Sequence, residues 1–71
     1  MEELKHVLAR VFREYRKRSG YSQWKLSIIA KIHPRSIQKI ERGELQPGVM
    51  LIVRLVSAMG SNVGFFFADL A

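Results

Sequence analysis

Apolar side chains spaced three or four residues apart dominate the first quarter of the chain. They are Leu4, Val7, Leu8, Val11, Phe12 and Tyr15. This spacing places them on one face of a helix, which we predict from Glu2 to Arg18. Gly20 can adopt the left-handed conformation that ends many helices, so we expect the helix to stop just before it.

A shorter helix is predicted next, from Gln23 to Ala30. Ser22 precedes it and is a favourable N-cap residue. The apolar positions predicted to face inward are Leu26, Ile29 and Ala30. A brief turn, residues 31–33, then separates this helix from the next one.

The third helix is predicted from Pro34 to Arg42. Proline suits the first helical position because its missing N–H has no helical partner there, and it disfavours helical geometry in the residue before it. Ile37 and Ile40 are spaced to face inward. Gly43 is expected to end the helix, and residues 44–48 form a loop containing Pro47 and Gly48.

The last third of the chain is strongly apolar. A fourth helix is predicted from the spacing of Val49, Leu51, Ile52, Leu55, Val56 and Met59. Gly60 would cap it, and Asn62 could cap a fifth helix from Val63 to Leu70. The phenylalanine run in this segment would equally suit a strand, so the residues leave both structures open there.

Length and charge narrow the class of protein. The chain has 71 residues and no cysteine, which predicts one domain, residues 1–71, without a disulfide or thiolate metal site. With no signal peptide and no membrane-length apolar run, we expect a soluble protein of the cytoplasm.

Eleven of its twelve Lys and Arg residues lie in residues 1–44. This basic region fits a polyanion such as nucleic acid, although it could also serve solubility alone.

The segment RKRSGYSQWKLSIIAKIHPRSIQKIERG resembles the Cro/repressor-type, or XRE-like, helix-turn-helix family. The matching positions are Arg16, Gly20, Ser22, Gln23, Leu26, Ile37, Ile40, Glu41, Gly43 and Pro47. The resemblance continues to Gly60 and toward Phe67. It implies an all-α fold, a compact five-helix lambda-repressor-like DNA-binding domain with the helix-turn-helix at helices two and three.

Four positions depart from that family's pattern. Lys31 stands where the family often has a glycine in the turn, Ser27 replaces a small alanine, Ala30 replaces a leucine, and Pro34 replaces a polar residue at the start of helix three. A lysine in such a turn must adopt a backbone conformation that glycine adopts more easily.

The outward side chains of helix three are the predicted contacts to DNA bases. A recognition helix lies in the major groove, where arginine and lysine suit guanine and glutamine suits adenine. We therefore assign base reading to Arg35, Gln38 and Lys39. The alternative is that these side chains form an ordinary solvated helix face.

The resemblance also implies contacts to DNA phosphates. They are assigned to Gln23, Ser36, Arg42, Lys25 and Lys17, with Gln23 helped by the positive end of helix two; alternatively, Gln23 is a local capping amide.

Arg16 and Glu41 resemble the family's internal salt bridge, although Arg16 could instead contact a phosphate. We expect Trp24 to pack, covering a gap left by the small Ala30; alternatively, it contacts the phosphate–sugar surface of DNA or stacks on a neighbouring arginine. His33 is expected to be a poor N-cap beside DNA rather than a switch.

The tail, residues 61–71, is predicted to serve in dimerisation. Three consecutive phenylalanines cannot all face one core, so at least one should be exposed, and exposed aromatic groups often mark an interface. The assigned interface residues are Val63, Phe65, Phe66 and Phe67. Alternatively, two of the phenylalanines are core residues and one is incidental surface.

These features favour a sequence-specific DNA-binding transcriptional regulator, a repressor acting as a homodimer on double-stranded DNA with a palindromic operator. The alternative is a protein-interaction module, such as an antitoxin that binds a toxin through its apolar tail. An element binding an anionic membrane fits poorly because the basic residues do not flank one apolar stripe. We expect neither an enzyme nor a metal or other cofactor, because no catalytic set of side chains is apparent.

Overall fold

The computed structural model describes residues 3–71, which contain five helices and no strand. The helices are α1 Leu4–Ser19, α2 Gln23–Ala30, α3 Pro34–Glu41, α4 Val49–Ala58 and α5 Val63–Asp69. The all-α prediction is confirmed, and the ambiguous tail is a helix. The start predicted for helix one, at Glu2, lies outside the described residues. The third helix ends at Glu41, one residue earlier than predicted, with Arg42 as its C-cap.

The predicted caps form with good geometry. The Ser22 hydroxyl accepts the Lys25 backbone N–H at 3.0 Å, and the Asn62 side-chain oxygen accepts the Phe65 N–H at 2.9 Å. Gly43 follows α3 with φ of 73°, and a Cβ atom there would lie 2.6 Å from the His6 ring. Glycine is required at this position both by its backbone conformation and by the closeness of His6.

One hydrophobic core joins all five helices. Helix α1 packs against α3 and α5, α2 packs against α3 and α4, and α4 packs against α5. The buried members of the core are Leu8, Val11, Phe12, Tyr15, Leu26, Ala30, Ile37, Ile40, Ile52, Leu55, Val56, Met59 and Phe66. Every helix therefore contributes apolar area, which is the main stabilising term in a chain without disulfides.

Two inward predictions and the packing of Trp24 are wrong. Leu4, at the start of α1, and Ile29, on α2, are exposed, Ile29 by 42%. The buried residues of α2 are Leu26, Ala30 and, in place of Ile29, Ser27, whose hydroxyl donates to the Trp24 carbonyl at 2.5 Å. This bond satisfies the hydroxyl locally, so a small polar residue can face the core. Trp24 is 66% exposed and fills no gap beside Ala30.

The tail is fastened to the first helix through Tyr15. The rings of Tyr15 and Phe66 meet edge to face, with centroids 5.1 Å apart. The Tyr15 hydroxyl donates a hydrogen bond to the Asp69 carboxylate, and this bond, together with burial, raises the pKa of Tyr15. Arg18 lies over the same ring at 4.6 Å. Helix α5 is thus held by both aromatic packing and a polar contact.

Within residues 3–71, no single helix is long and apolar enough to cross a membrane. Helices α4 and α5 reach the required length and composition only together, and they are bent by 118° at the break between them.

Candidate nucleic-acid interface

Helices α2 and α3 form a helix-turn-helix with a tight connection. Each helix has eight residues, and residues 31–33 join them. Lys31 adopts the left-handed conformation, with φ of 57°, as expected at a position where the family often has glycine. The Ile32 N–H donates to the Ser27 carbonyl at 3.0 Å. The turn therefore closes the end of α2 with backbone hydrogen bonds before α3 begins.

Helix α3 is fixed from one side only. Ile37 and Ile40 are almost fully buried in the core. On the opposite side Arg35 and Lys39 are exposed, and Gln38 is half-buried. Because residues four apart on a helix lie on the same face, Arg35 and Lys39 present two cations side by side. The structure therefore brings the three predicted base-reading residues to one outer surface.

A buried ion pair holds the end of α3 to α1, as predicted. The Arg16 guanidinium donates to both Glu41 carboxylate oxygens, from Nε at 2.5 Å and from Nη2 at 2.9 Å. It also donates from Nη1 to the Tyr21 carbonyl at 2.9 Å. The hydrogen bond with Glu41 raises the pKa of Arg16. Each of the three guanidinium nitrogens of Arg16 donates a hydrogen bond within the protein, so the structure favours a scaffold role over a phosphate contact.

Gln23 and Arg13 join the same network. The Gln23 side-chain amide donates to the Glu41 carboxylate at 2.9 Å, so α2 as well as α1 is tied to the end of α3. Arg13 donates to the Glu41 backbone carbonyl at 3.0 Å. Sequence reasoning missed Arg13, since nothing in the local pattern signals a bond across 28 residues. Gln23 has one amide N–H committed inward, and its contact with phosphate stays a prediction.

The other predicted phosphate contacts surround α3. Arg42, Lys25 and Lys17 are exposed, and Ser36 is half-buried. Arg42 donates to the Gln38 side-chain oxygen at 3.4 Å and lies 3.5 Å from the Glu44 carboxylate. These long, exposed contacts are weak. Arg42 and Gln38 are therefore able to change partners when a ligand approaches.

Electrostatically, the outer face of α3 is positive. Its charged side chains, with the C-cap residue, are Arg35, Lys39 and Arg42, while the acid of the helix, Glu41, is buried and paired with Arg16. An anion approaching α3 therefore meets cations and no carboxylate from the helix itself. Such a surface suits a polyanion.

The predicted interface residues of the tail occupy three different environments. Phe65 is 70% exposed, which confirms that at least one phenylalanine lies at the surface. Val63 and Phe67 are half-buried and pack against the core. Phe66 is fully buried, so its assignment to a dimer interface is wrong: the pairing with Tyr15 uses its whole ring inside the monomer.

More apolar surface lies on α4. Val49 and Met50 are exposed, Met50 by 78%. An open groove of about 460 Å³ on this helix is lined by Met50, Leu51, Val53 and Arg54.

Within residues 3–71, no group of three or more His, Cys, Asp or Glu side chains could hold a metal ion.

The chain is similar to known proteins both in sequence, through a family model, and in structure. A helix-turn-helix family model matches residues 12–66, which include both helices of the motif. Two crystal structures of the clp gene regulator ClgR from Corynebacterium glutamicum superimpose with a TM-score of 0.89 at 20% identity. The superpositions cover 97% of this chain and 88% and 73% of the ClgR chains. No curated protein sequence matches the chain.

Proposed function

The chain belongs to the helix-turn-helix family, and we propose that it regulates transcription by binding double-stranded DNA with α3 in the major groove. The observation that carries this proposal is the one-sided attachment of α3. Ile37, Ile40 and Glu41 hold the helix from within. The remaining side presents cations and an amide to solvent, which are the groups that read base edges.

The contacts divide into two kinds. Arg35, Gln38 and Lys39 would read bases, since they share the outer face of α3. The predicted phosphate contacts, which would position the protein without reading sequence, are Gln23, Ser36, Arg42, Lys25 and Lys17. The first backbone N–H groups of α2 are without helical partners and would support Gln23 in this role.

A homodimer acting as a repressor is the fuller form of the proposal. Phe65, with Val63 and Phe67 beside it, would contact a second copy, and two α3 helices would then lie about 34 Å apart on a palindromic operator. A small DNA-binding domain that occupies an operator can block transcription without any further domain. The exposed Phe65 side chain supports this assembly.

DNA binding is tested by titrating the protein against genomic fragments at rising salt concentration. Because phosphate neutralisation releases counterions, affinity should fall steeply with salt. Arg35→Ala should cost about 1–3 kcal/mol and relax preference at one base position. Lys5→Ala, which removes a cation of α1 that is not among the proposed DNA contacts, is the matched control. If no fragment binds even at low salt, the proposal fails.

Dimerisation is tested by sedimentation of a Phe65→Ser variant. The wild type should sediment as a dimer, and the variant should shift toward the monomer because an exposed apolar anchor is lost. Trp24→Ser removes a similarly exposed aromatic group outside the proposed interface and should leave the mass unchanged. A wild type that is monomeric at all concentrations would reject the homodimer.

A second candidate function is a protein-interaction module, such as the antitoxin partner of a toxin. It is favoured by the exposed apolar side chains Val49, Met50 and Phe65 on α4 and α5. A monomer that binds DNA and also a separate protein through these residues would support it. A dimer dependent on Phe65 would support the regulator acting alone.

A further inference from the structure

The first turn of α3 is capped by a histidine. The His33 Nδ1 atom accepts the Arg35 backbone N–H at 3.1 Å, and the His33 carbonyl accepts the Ser36 N–H at 3.0 Å. Pro34, between them, has no N–H to satisfy. His33 therefore accepts the backbone N–H groups of both Arg35 and Ser36, and Arg35 is the first residue assigned to base reading.

This cap depends on the charge of the imidazole. Nδ1 accepts a hydrogen bond only in the neutral ring with the proton on Nε2, since both nitrogens of a protonated imidazole are donors. A positive ring would also lie at the positive end of the helix dipole. Helices α2 and α5 are capped by Ser22 and Asn62, which do not titrate. Among the side-chain caps within residues 3–71, His33 is the one whose acceptor atom is lost on protonation.

Along the chain, residues 31–36 contain no carboxylate that could compensate for that proton. His33 is exposed, and in the described part of the chain its imidazole bonds only the Arg35 backbone. The charged residues nearest to it along the chain, Lys31 in the turn and Arg35 on α3, are both cations. Glu41, the acid of α3, lies at the far end of the helix and is paired with Arg16.

We propose that neutral His33 is a positioning residue for Arg35, so that the protein loses sequence discrimination when His33 gains a proton. The inference rests on the proposed function of α3. Protonation would release the Arg35 N–H and loosen the first turn, which weakens base reading. The added charge would at the same time strengthen attraction to any phosphate backbone. Both effects reduce the ratio of specific to non-specific affinity as pH falls.

The experiment compares two DNA duplexes over a range of pH. One is selected from a random-sequence pool at about pH 8, and the other is a shuffled duplex of the same composition. Since histidine changes charge between about pH 5 and 8, the wild-type affinity ratio should fall about three- to tenfold over that range, the size expected for losing an N-cap. His33→Asn, which keeps a cap without titrating, should hold the ratio constant.

The matched control is His6→Asn, which removes the other histidine of the chain and should keep the wild-type pH dependence. A ratio that falls equally in His33→Asn and in the wild type would overturn the inference while leaving DNA binding intact. If no duplex binds at about pH 8, DNA binding itself fails, and the inference with it.

A second readout needs no DNA. The NMR resonance of the Arg35 backbone amide should move with the protonation of the His33 ring in a pH titration, and a stationary amide resonance would contradict the cap's dependence on charge.

Discussion

Helices α2 and α3 have the same length but opposite surfaces. On α2 the exposed side chains include Trp24, Ile28 and Ile29, while Leu26, Ser27 and Ala30 are buried. On α3 the isoleucines are buried and the exposed side chains are basic or amide groups. The two helices of the motif therefore differ in amphipathicity: α3 separates its apolar and polar side chains onto opposite faces, and α2 does not.

The difference shows what holds each helix in place. Helix α3 carries its own apolar face together with Glu41, so its orientation follows from its sequence. Helix α2 packs against α3 and α4. Beside Leu26 its buried residues are small, Ser27 and Ala30, and they allow close approach. Its exposed apolar residues then contribute little to folding, which leaves α2 dependent on its neighbours. Three pairs of substitutions would sharpen or break this comparison.

The largest effect is expected from Glu41→Ala. It would leave the Arg16 charge buried without its partner and remove the acceptor of Gln23, so we expect a loss of about 3–5 kcal/mol in the free energy of unfolding. That is a large part of the stability of a small domain. Urea denaturation followed by circular dichroism measures it. Glu44→Ala, at an exposed ion pair, should change stability by less than about 1 kcal/mol, and equal losses in the two variants would refute the anchoring role.

A matched pair of isoleucines tests the two surfaces directly. Ile37→Ala on α3 removes a fully buried side chain and should cost about 2–5 kcal/mol. Ile29→Ala on α2 removes a side chain that is 42% exposed and should cost about 1 kcal/mol or less. Thermal unfolding of both variants gives the comparison. Similar losses at the two positions would mean that Ile29 does face a core.

The smallest effect concerns the junction of the two helices. Lys31 has φ of 57°, a conformation that is costly for residues with a Cβ atom. Lys31→Gly should therefore stabilise the protein by roughly 0.5–1 kcal/mol, after the greater freedom of glycine in the unfolded chain is counted. Lys25→Gly, within α2, should instead destabilise by about 1 kcal/mol. A loss of stability in Lys31→Gly would show that the lysine side chain itself supports the turn.

Much of the fold could be predicted because its signals are local. The caps at Ser22 and Asn62, the proline that opens α3 and the glycine that follows it each act within a few residues. The pairing of Arg16 with Glu41 was also predicted, but through resemblance to a family rather than through local chemistry. The candidate base-reading residues could be proposed from local spacing, since Ile37 and Ile40 leave only one side of α3 for Arg35, Gln38 and Lys39.

The errors lie where a residue has two reasonable environments. Ile29 is apolar and Ser27 is polar, so sequence favours burying the isoleucine. The structure buries the serine, whose hydroxyl finds a partner in the preceding turn of its own helix. Phe66 is one of three identical neighbours, and it differs from Phe65 in being packed within the core, where its ring meets that of Tyr15. No periodicity could rank these residues, because the deciding contacts come from distant parts of the chain.

By itself the sequence determined the first four helices, the caps at Ser22 and Asn62 and the basic outer face of α3, because spacing, capping and charge act over a few residues. Tertiary structure decided which apolar residues of α2 and α5 are buried, and it drew Arg13 and Gln23 into the bonds around Glu41. Those choices depend on contacts between residues as much as 54 positions apart, as in Tyr15 and Asp69. Such contacts exist only once the helices have packed together.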